Sequence, residues 1–272
     1  MQKLVRTALR FWESDKAWNA ITTLQMRGSP ETLALACTLA RSQSCRKRSL
    51  GLYIASQLRK RFVEHGSGSV EYALNETQAL LLAGLHDEHD EVVRAAISGF
   101  GHRPHPEALP ELVRLSNHQR ASIRWGVSIA LGRYSEPMAI DALMRLARDA
   151  DNAVRDWATF GLGTLQDADS PEILEVLWSN LEDKDSDVRS EALVGLAKRD
   201  DPRTVDYLRN HLNDDCQVYE LEAAEKMASP SLLEPLLKLA AMAANSKVDS
   251  YWLGCLNTAI AACSAPAEQQ AR

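Results

Sequence analysis

The stretch NAVRDWATFGLG, residues 152–163, decides how this chain folds. Val154, Ala158 and Leu162 stand at i, i+4 and i+8, one stripe of a helix, and the phrase closes on Gly163. Near-copies lie on both sides: SIRWGVSIALG at 122–132 and DVRSEALVGLA at 187–197. Their shared anchor is an aliphatic residue followed by arginine. It recurs as Val93–Arg94, Ile123–Arg124, Val154–Arg155 and Val188–Arg189, with a degenerate copy at Val218–Tyr219. The spacings are 30, 31, 34 and 30 residues, a period that marks a repeat architecture.

Each repeat reads as two helices. In SEPMAIDALMRLARDADNAVRDWATFGLGTLQD, residues 135–167, a first helix starts near Ser135 with Pro137 in its first turn, where a missing N–H costs little. Ala139, Leu143 and Leu146 give it an apolar face. Asp149 to Asp151 forms a turn, and Asp151 suits the N-cap of the second helix. Ala158 and Gly161 permit close approach of neighbouring helices, and Trp157 and Trp178 are expected in the core. A helix pair of this size cannot bury its apolar faces alone, so neighbours must stack. No run alternates with period two, so the expected fold is all-α, an α-α superhelix of antiparallel helix pairs with no sheet. The Asp-x-x-Val-Arg phrase sets Asp90/Arg94, Asp151/Arg155 and Asp185/Arg189 four residues apart, within reach of a cap, an ion pair and inter-repeat hydrogen bonds. Catalytic groups have no need to repeat in register, so the phrase reads as architecture.

These residues resemble HEAT repeats of the short PBS-lyase HEAT-like type. The likeness rests on the Asp-x-x-Val-Arg starts, Ala158 and Ala192 three residues after the arginine, Leu131, Leu162 and Leu196 seven after it, and the closing Gly132 and Gly163. It is strong over residues 78–215 and weaker at both ends, where Arg120 replaces one aspartate and Tyr219 the last arginine. The chain also resembles a small group of bacterial HEAT proteins proposed as immunity proteins against polymorphic toxins. The resemblance implies a solenoid that acts by binding. We read residues 1–64 as diverged N-terminal repeats or a cap, 65–69 (the tract around GSGS) as a flexible loop, 70–246 as regular repeats, and 247–272 as a capping helix and frayed tail, all in one continuous solenoid.

Composition narrows the function. The 272 residues carry a net charge of −6, against a general nucleic-acid binder. Residues 1–85 hold 12 Lys/Arg and 6 Asp/Glu, while residues 86–272 hold 19 and 31. The basic excess centres on Arg46, Lys47, Arg48, Arg59, Lys60 and Arg61, which read either as solvated helix faces or as a contact for an acidic partner. Five cysteines form no C-x-x-C pair, which fits a reducing, cytoplasmic setting. No apolar run reaches the roughly 18 residues of a membrane span, and the N-terminus lacks the apolar core of a signal peptide.

Chemistry is thinly represented. HDEHDE and HRPH each contain an H-x-x-H, but both fall at turns between helices, and no metal or cofactor is expected. The HEAT-repeat hydroxylases hold iron through His-Glu dipeptides, and this chain has none. No nucleophile elbow or P-loop is present. What remains is a surface. On each second helix the residues one and five after the arginine point away from the core. These are Trp125 and Ile129, Asp156 and Phe160, Ser190 and Val194, and Glu220. The leading expectation is a non-enzymatic scaffold that binds a partner protein through this concave face, as an adaptor or toxin-neutralising protein. The alternative is a bilin-type lyase or metal-dependent enzyme on the same scaffold, resting on the histidines and the family name.

Overall fold

The computed structural model describes residues 1–62, 68–244 and 248–265. Its contacts gather into two compact units, Met1–Ala142 and Leu143–Arg272. The first contains α1 (Gln2–Arg10), α2 (Asp15–Gln25), α3 (Pro30–Ala40), α4 (Cys45–Ser56), α5 (Leu74–Gly84), α6 (Asp90–His102), α7 (Leu109–Leu115) and α8 (Ala121–Leu131). The division falls within α9 (Pro137–Leu146). The second unit continues with α10 (Asn152–Phe160), α11 (Pro171–Asn180), α12 (Ser186–Lys198), α13 (Arg203–His211), α14 (Val218–Met227), α15 (Leu233–Ala243) and α16 (Ser250–Ser264).

Helix starts follow the sequence signals. Asp151 accepts from the Val154 N–H at 3.2 Å, Ser29 from Thr32 at 3.3 Å and Ser170 from Ile173 at 3.4 Å, with Pro30 and Pro171 in the first turns. The predicted stripes are the core: Val154, Ala158 and Leu162, like Val188, Ala192 and Leu196, are all 0% exposed. Each fully buried leucine or valine of this kind contributes about 1.5–3 kcal/mol. Within each unit the second helices of successive pairs pack closely on one another, α2 on α4, α4 on α6, α6 on α8, and α10 on α12, α12 on α14, α14 on α16. Contacts between the first helices of neighbouring pairs, such as α3 and α5, are sparse among the described residues, which makes the second helices the inner layer of each stack. Close approach of α12 to the segment after α10 depends on Gly163 and Gly195. A Cβ on Gly195 would stand 2.5 Å from the Gly163 Cα.

The expectation of no sheet is corrected. Strand β1 (Arg59–Phe62) pairs antiparallel with β2 (Gly68–Glu71), with Lys60 opposite Val70. The strands are short, and RKRF carries no apolar alternation, so sequence periodicity could not announce them. Their backbone is held from outside: the Gly28 N–H donates to the Arg59 carbonyl at 2.8 Å, and Arg103 donates to the Leu58 carbonyl and, at 2.6 Å, to Thr77 Oγ1. Gly68 and Ser69, read from sequence as loop, lie in β2, whereas 65–67 and the tail 266–272 lie outside the described residues. The hairpin does not interrupt the stack, since α4 packs directly on α5 and α6. Among the described residues no helix is long and apolar enough to cross a membrane.

Candidate functional site, a broken rung between repeats

The repeated arginine builds a ladder. In each intra-repeat turn a side-chain acceptor takes the N–H two residues on: Ser42 from Ser44, Asp87 from His89, His118 from Arg120, Asp149 from Asp151, Asp183 from Asp185 and Asn213 from Asp215. The arginine of the following helix donates back to the carbonyls of its own turn. Arg48 reaches those of Ser42 and Gln43, Arg124 those of His118 and Gln119, and Arg155 those of Asp149 and Ala150, all within 3.2 Å. The other edge of the guanidinium reaches forward to the next turn. Arg48 forms a bidentate pair with Asp87, and Arg155 one with Asp183, each at 2.7 and 2.8 Å. Both pairs are largely shielded from solvent, with side chains 9–14% exposed. The arginine beside Asp183 holds that carboxyl below the usual range, and Arg48 does the same for Asp87 against the cost of burial.

The ion pair therefore runs between repeats, not within the phrase. Asp151 and Asp185 act as caps, Asp185 also accepting from Asn152 Nδ2 at 2.6 Å, while Asp90 pairs with Arg120 at 2.8 Å and Arg94 reaches Glu13 at 2.5 Å. Arg94 turns away because the next turn offers His118 in place of an aspartate. Arg189 meets the same problem, because the next turn offers Asn213. Its Nη1 donates back to the Asp183 carbonyl at 2.7 Å, but no carboxylate among the described residues completes the forward pair.

A cleft of about 890 Å³ opens at this missing rung. It lies between the turn that precedes α12, the end of α13 and the start of α14, and its lining includes Asp187, Arg189, Ser190, Tyr207, His211 and Tyr219. Tyr207 and His211 are stacked, their ring centroids 3.8 Å apart, and Tyr207 Oη is pushed up to about 12 by burial and by Glu220. Next to the cleft, carboxylates crowd the inner layer. Burial and the charges of Asp187 and Asp185 raise Asp156, and burial with Asp156 beside it raises Glu191 to about 7. Thr164 donates to Glu191 at 3.5 Å, and no cation pairs with Asp156, Asp187 or Glu191 among the described residues. The second unit as a whole has 13 Lys/Arg and 23 Asp/Glu, so no background of cations offsets these charges.

The residues singled out from sequence fall into two groups. Trp125 and Ile129 lie on α8 in the first unit, Trp125 38% exposed and Ile129 half-buried. In the second unit Asp156 and Phe160 on α10 and Ser190 and Val194 on α12 are half-buried on packed neighbours. Glu220 borders the cleft but is not the exposed outward residue expected: it is 6% exposed, and its Oε2 accepts from the Gln217 N–H at 2.7 Å as part of the α14 cap. Trp157 and Trp178 are also corrected, both being half-buried. Trp157 meets Phe160 edge-on at 5.7 Å, and Trp178 lies under the Arg203 guanidinium at 4.8 Å.

Of the six basic residues, Arg48 is committed to the ladder and Arg59 to Ser69 Oγ at 2.9 Å. Arg46 lies over Trp12 at 5.6 Å, while Lys47, Lys60 and Arg61 are exposed. The histidines do not converge, and among the described residues no group of three or more His, Cys, Asp or Glu could hold a metal. Sequence reasoning missed Asp187 and Glu191, although two residues either side of the arginine is also an outward position on the helical wheel.

Comparison with known proteins places this architecture. The sequence pattern of HEAT repeats matches residues 78–163 and 145–228, together more than half of the chain. No curated protein sequence matches it. Among solved structures, YibA of Escherichia coli superposes with a TM-score of 0.71 at 22% identity, over 95% of this chain and 91% of that one. An engineered protein gives 0.56 at 16% identity over 96% and 78%, and importin beta 0.55 at 15% over 95% and 40%. At these identities the likeness is one of fold.

Proposed function

The chain belongs to the HEAT-repeat family, and from that premise we propose that it is a binding scaffold whose second unit takes a basic segment of a partner protein on its inner helix layer. The observation that carries this reading is the uncompensated carboxylate set of half-buried Asp156 and Glu191 with exposed Asp187 beside them. Repelling carboxylates held by a rigid stack cost free energy in the free protein. A lysine or arginine brought by a partner relieves the repulsion and restores ordinary ionisation at Glu191. Exposed helix faces beside an open cleft supply the area, and Phe160 and Val194 supply apolar contact next to the charges. The test is fluorescence anisotropy with a labelled lysine-rich peptide and a glutamate-rich control. The lysine peptide binds, weakens with added salt, and is lost on combining Asp156→Asn, Asp187→Asn and Glu191→Gln. Equal binding of the glutamate peptide, or full retention by the folded triple variant, refutes the reading.

A further inference from the structure

We propose that the cleft at the broken rung is a specificity site, in which Arg189 receives a carboxylate from the partner protein. The inference rests on the basic-segment reading above and adds what that segment must carry. Arg48 and Arg155 show what this position does when complete: one edge of the guanidinium holds its own turn, and the Nε–Nη2 edge grips a carboxylate at 2.7 and 2.8 Å. Arg189 keeps the first half, through Nη1 to the Asp183 carbonyl. The second half is missing, because Asn213 brings the turn geometry of Asp183 without its charge: its Oδ1 accepts from Asp215 at 3.0 Å, as Asp183 Oδ1 does from Asp185 at 2.9 Å. The fork lines the cleft, and the N-terminal ends of α12 and α14 open onto the same space, where their dipoles favour an anion.

The acidic rim decides the rest. Glu182, Asp187 and Asp215 surround the opening, so an acidic segment is repelled before it reaches the fork. A single carboxylate flanked by lysine or arginine satisfies both parts: the flanks meet the rim, and the carboxylate completes the rung. A phosphate dianion carries more charge past the same rim and has no counterpart in the intact rungs. The carboxylate can come from an aspartate or glutamate side chain or from a chain terminus.

The experiment uses the full chain and three labelled lysine-rich peptides read by anisotropy. One has a central aspartate and an amidated end, one has asparagine instead, and one has asparagine with a free C-terminal carboxylate. Wild type should prefer the aspartate peptide over its asparagine twin by on the order of tenfold, as for a charge-assisted bidentate contact at a partly open site. A stronger preference for the third peptide identifies the terminus as the better source. Arg189→Lys keeps the charge and loses the fork, and should abolish the preference while still binding the asparagine twin. Asn213→Asp fills the fork from within, so it too abolishes the preference and raises the melting temperature. Equal binding of all three peptides by wild type overturns the Arg189 site and leaves the basic-segment reading intact. A preference that survives Asn213→Asp, or a lower melting temperature for that variant, places the carboxylate elsewhere and overturns the site. Binding of none of the peptides overturns the basic-segment reading and this inference with it.

Discussion

Replacing Asp183 by asparagine tests the ladder directly. The substitution keeps the size of the side chain and the acceptor for the Asp185 N–H, which stands at 2.9 Å. It removes the charge that two guanidinium N–H groups of Arg155 address at 2.7 and 2.8 Å. Arg155 keeps its bonds to the Asp149 and Ala150 carbonyls, so the guanidinium stays in place, 9% exposed and without a counterion. Breaking a buried pair from one side costs about 3–5 kcal/mol, and the residual exposure argues for the lower end, about 3 kcal/mol. For a cooperative unit of this size that is roughly a 10 °C loss in melting temperature. Circular dichroism at varied temperature reads the loss, and hydrogen exchange should locate it in α10 to α12. The pH dependence has a definite sign. The folded Asp183 carboxyl lies below its unfolded value, so its contribution is present above the unfolded value and is lost as pH falls through the folded one. The variant should lack that part of the acid sensitivity. A double change, Arg155→Met with Asp183→Leu, should cost less than either single charge removal. If Asp183→Asn melts within a degree or two of wild type, the rung is not a stabilising element and the reasoning fails.

Other consequences can be checked in the same way. Glu191 is raised to about 7, so its ionisation opposes folding as pH climbs from the unfolded carboxylate range to neutrality. Glu191→Gln should therefore melt progressively higher than wild type from mildly acidic to mildly alkaline pH, and parallel melting curves would contradict the assigned burial and repulsion. Gly195→Val puts carbon against the Gly163 backbone, where a Cβ has only 2.5 Å, and should cost about 1–3 kcal/mol in a denaturant titration through overpacking. Arg199 donates to the carbonyls of Leu162, Gly163, Gln166, Ala168 and Gly195, at 2.7–3.2 Å. Arg199→Met should raise hydrogen exchange across residues 161–168 before any other part of the second unit, and uniform protection there would show that the guanidinium is dispensable.

The repeat was legible because it is local. Period, helix pairing, caps and core stripe follow from residues within one turn or two of each other, and Val154, Ala158 and Leu162 are buried as their spacing requires. Of the stripe read as outward, Trp125 is exposed, Ile129, Asp156, Phe160, Ser190 and Val194 are half-buried against the neighbouring helices, and Glu220 is taken inward by its own cap. What the sequence could not give is pairing across the period. Arg155 lies four residues from Asp151 and 28 from Asp183, and it is the distant carboxylate that it grips. The stacking of one pair on the next brings that distant turn onto the open edge of the guanidinium, while the nearer aspartate is already spent on a backbone N–H. The hairpin was hidden because its strands are short and charged and draw their support from Gly28 and Arg103, far away in the chain. The cleft at Arg189 was hidden most deeply. An asparagine at position 213 is an ordinary turn residue when read along the chain, and stands out as a missing charge only when its turn is compared with that of Asp183, whose carboxylate the preceding repeat's arginine grips.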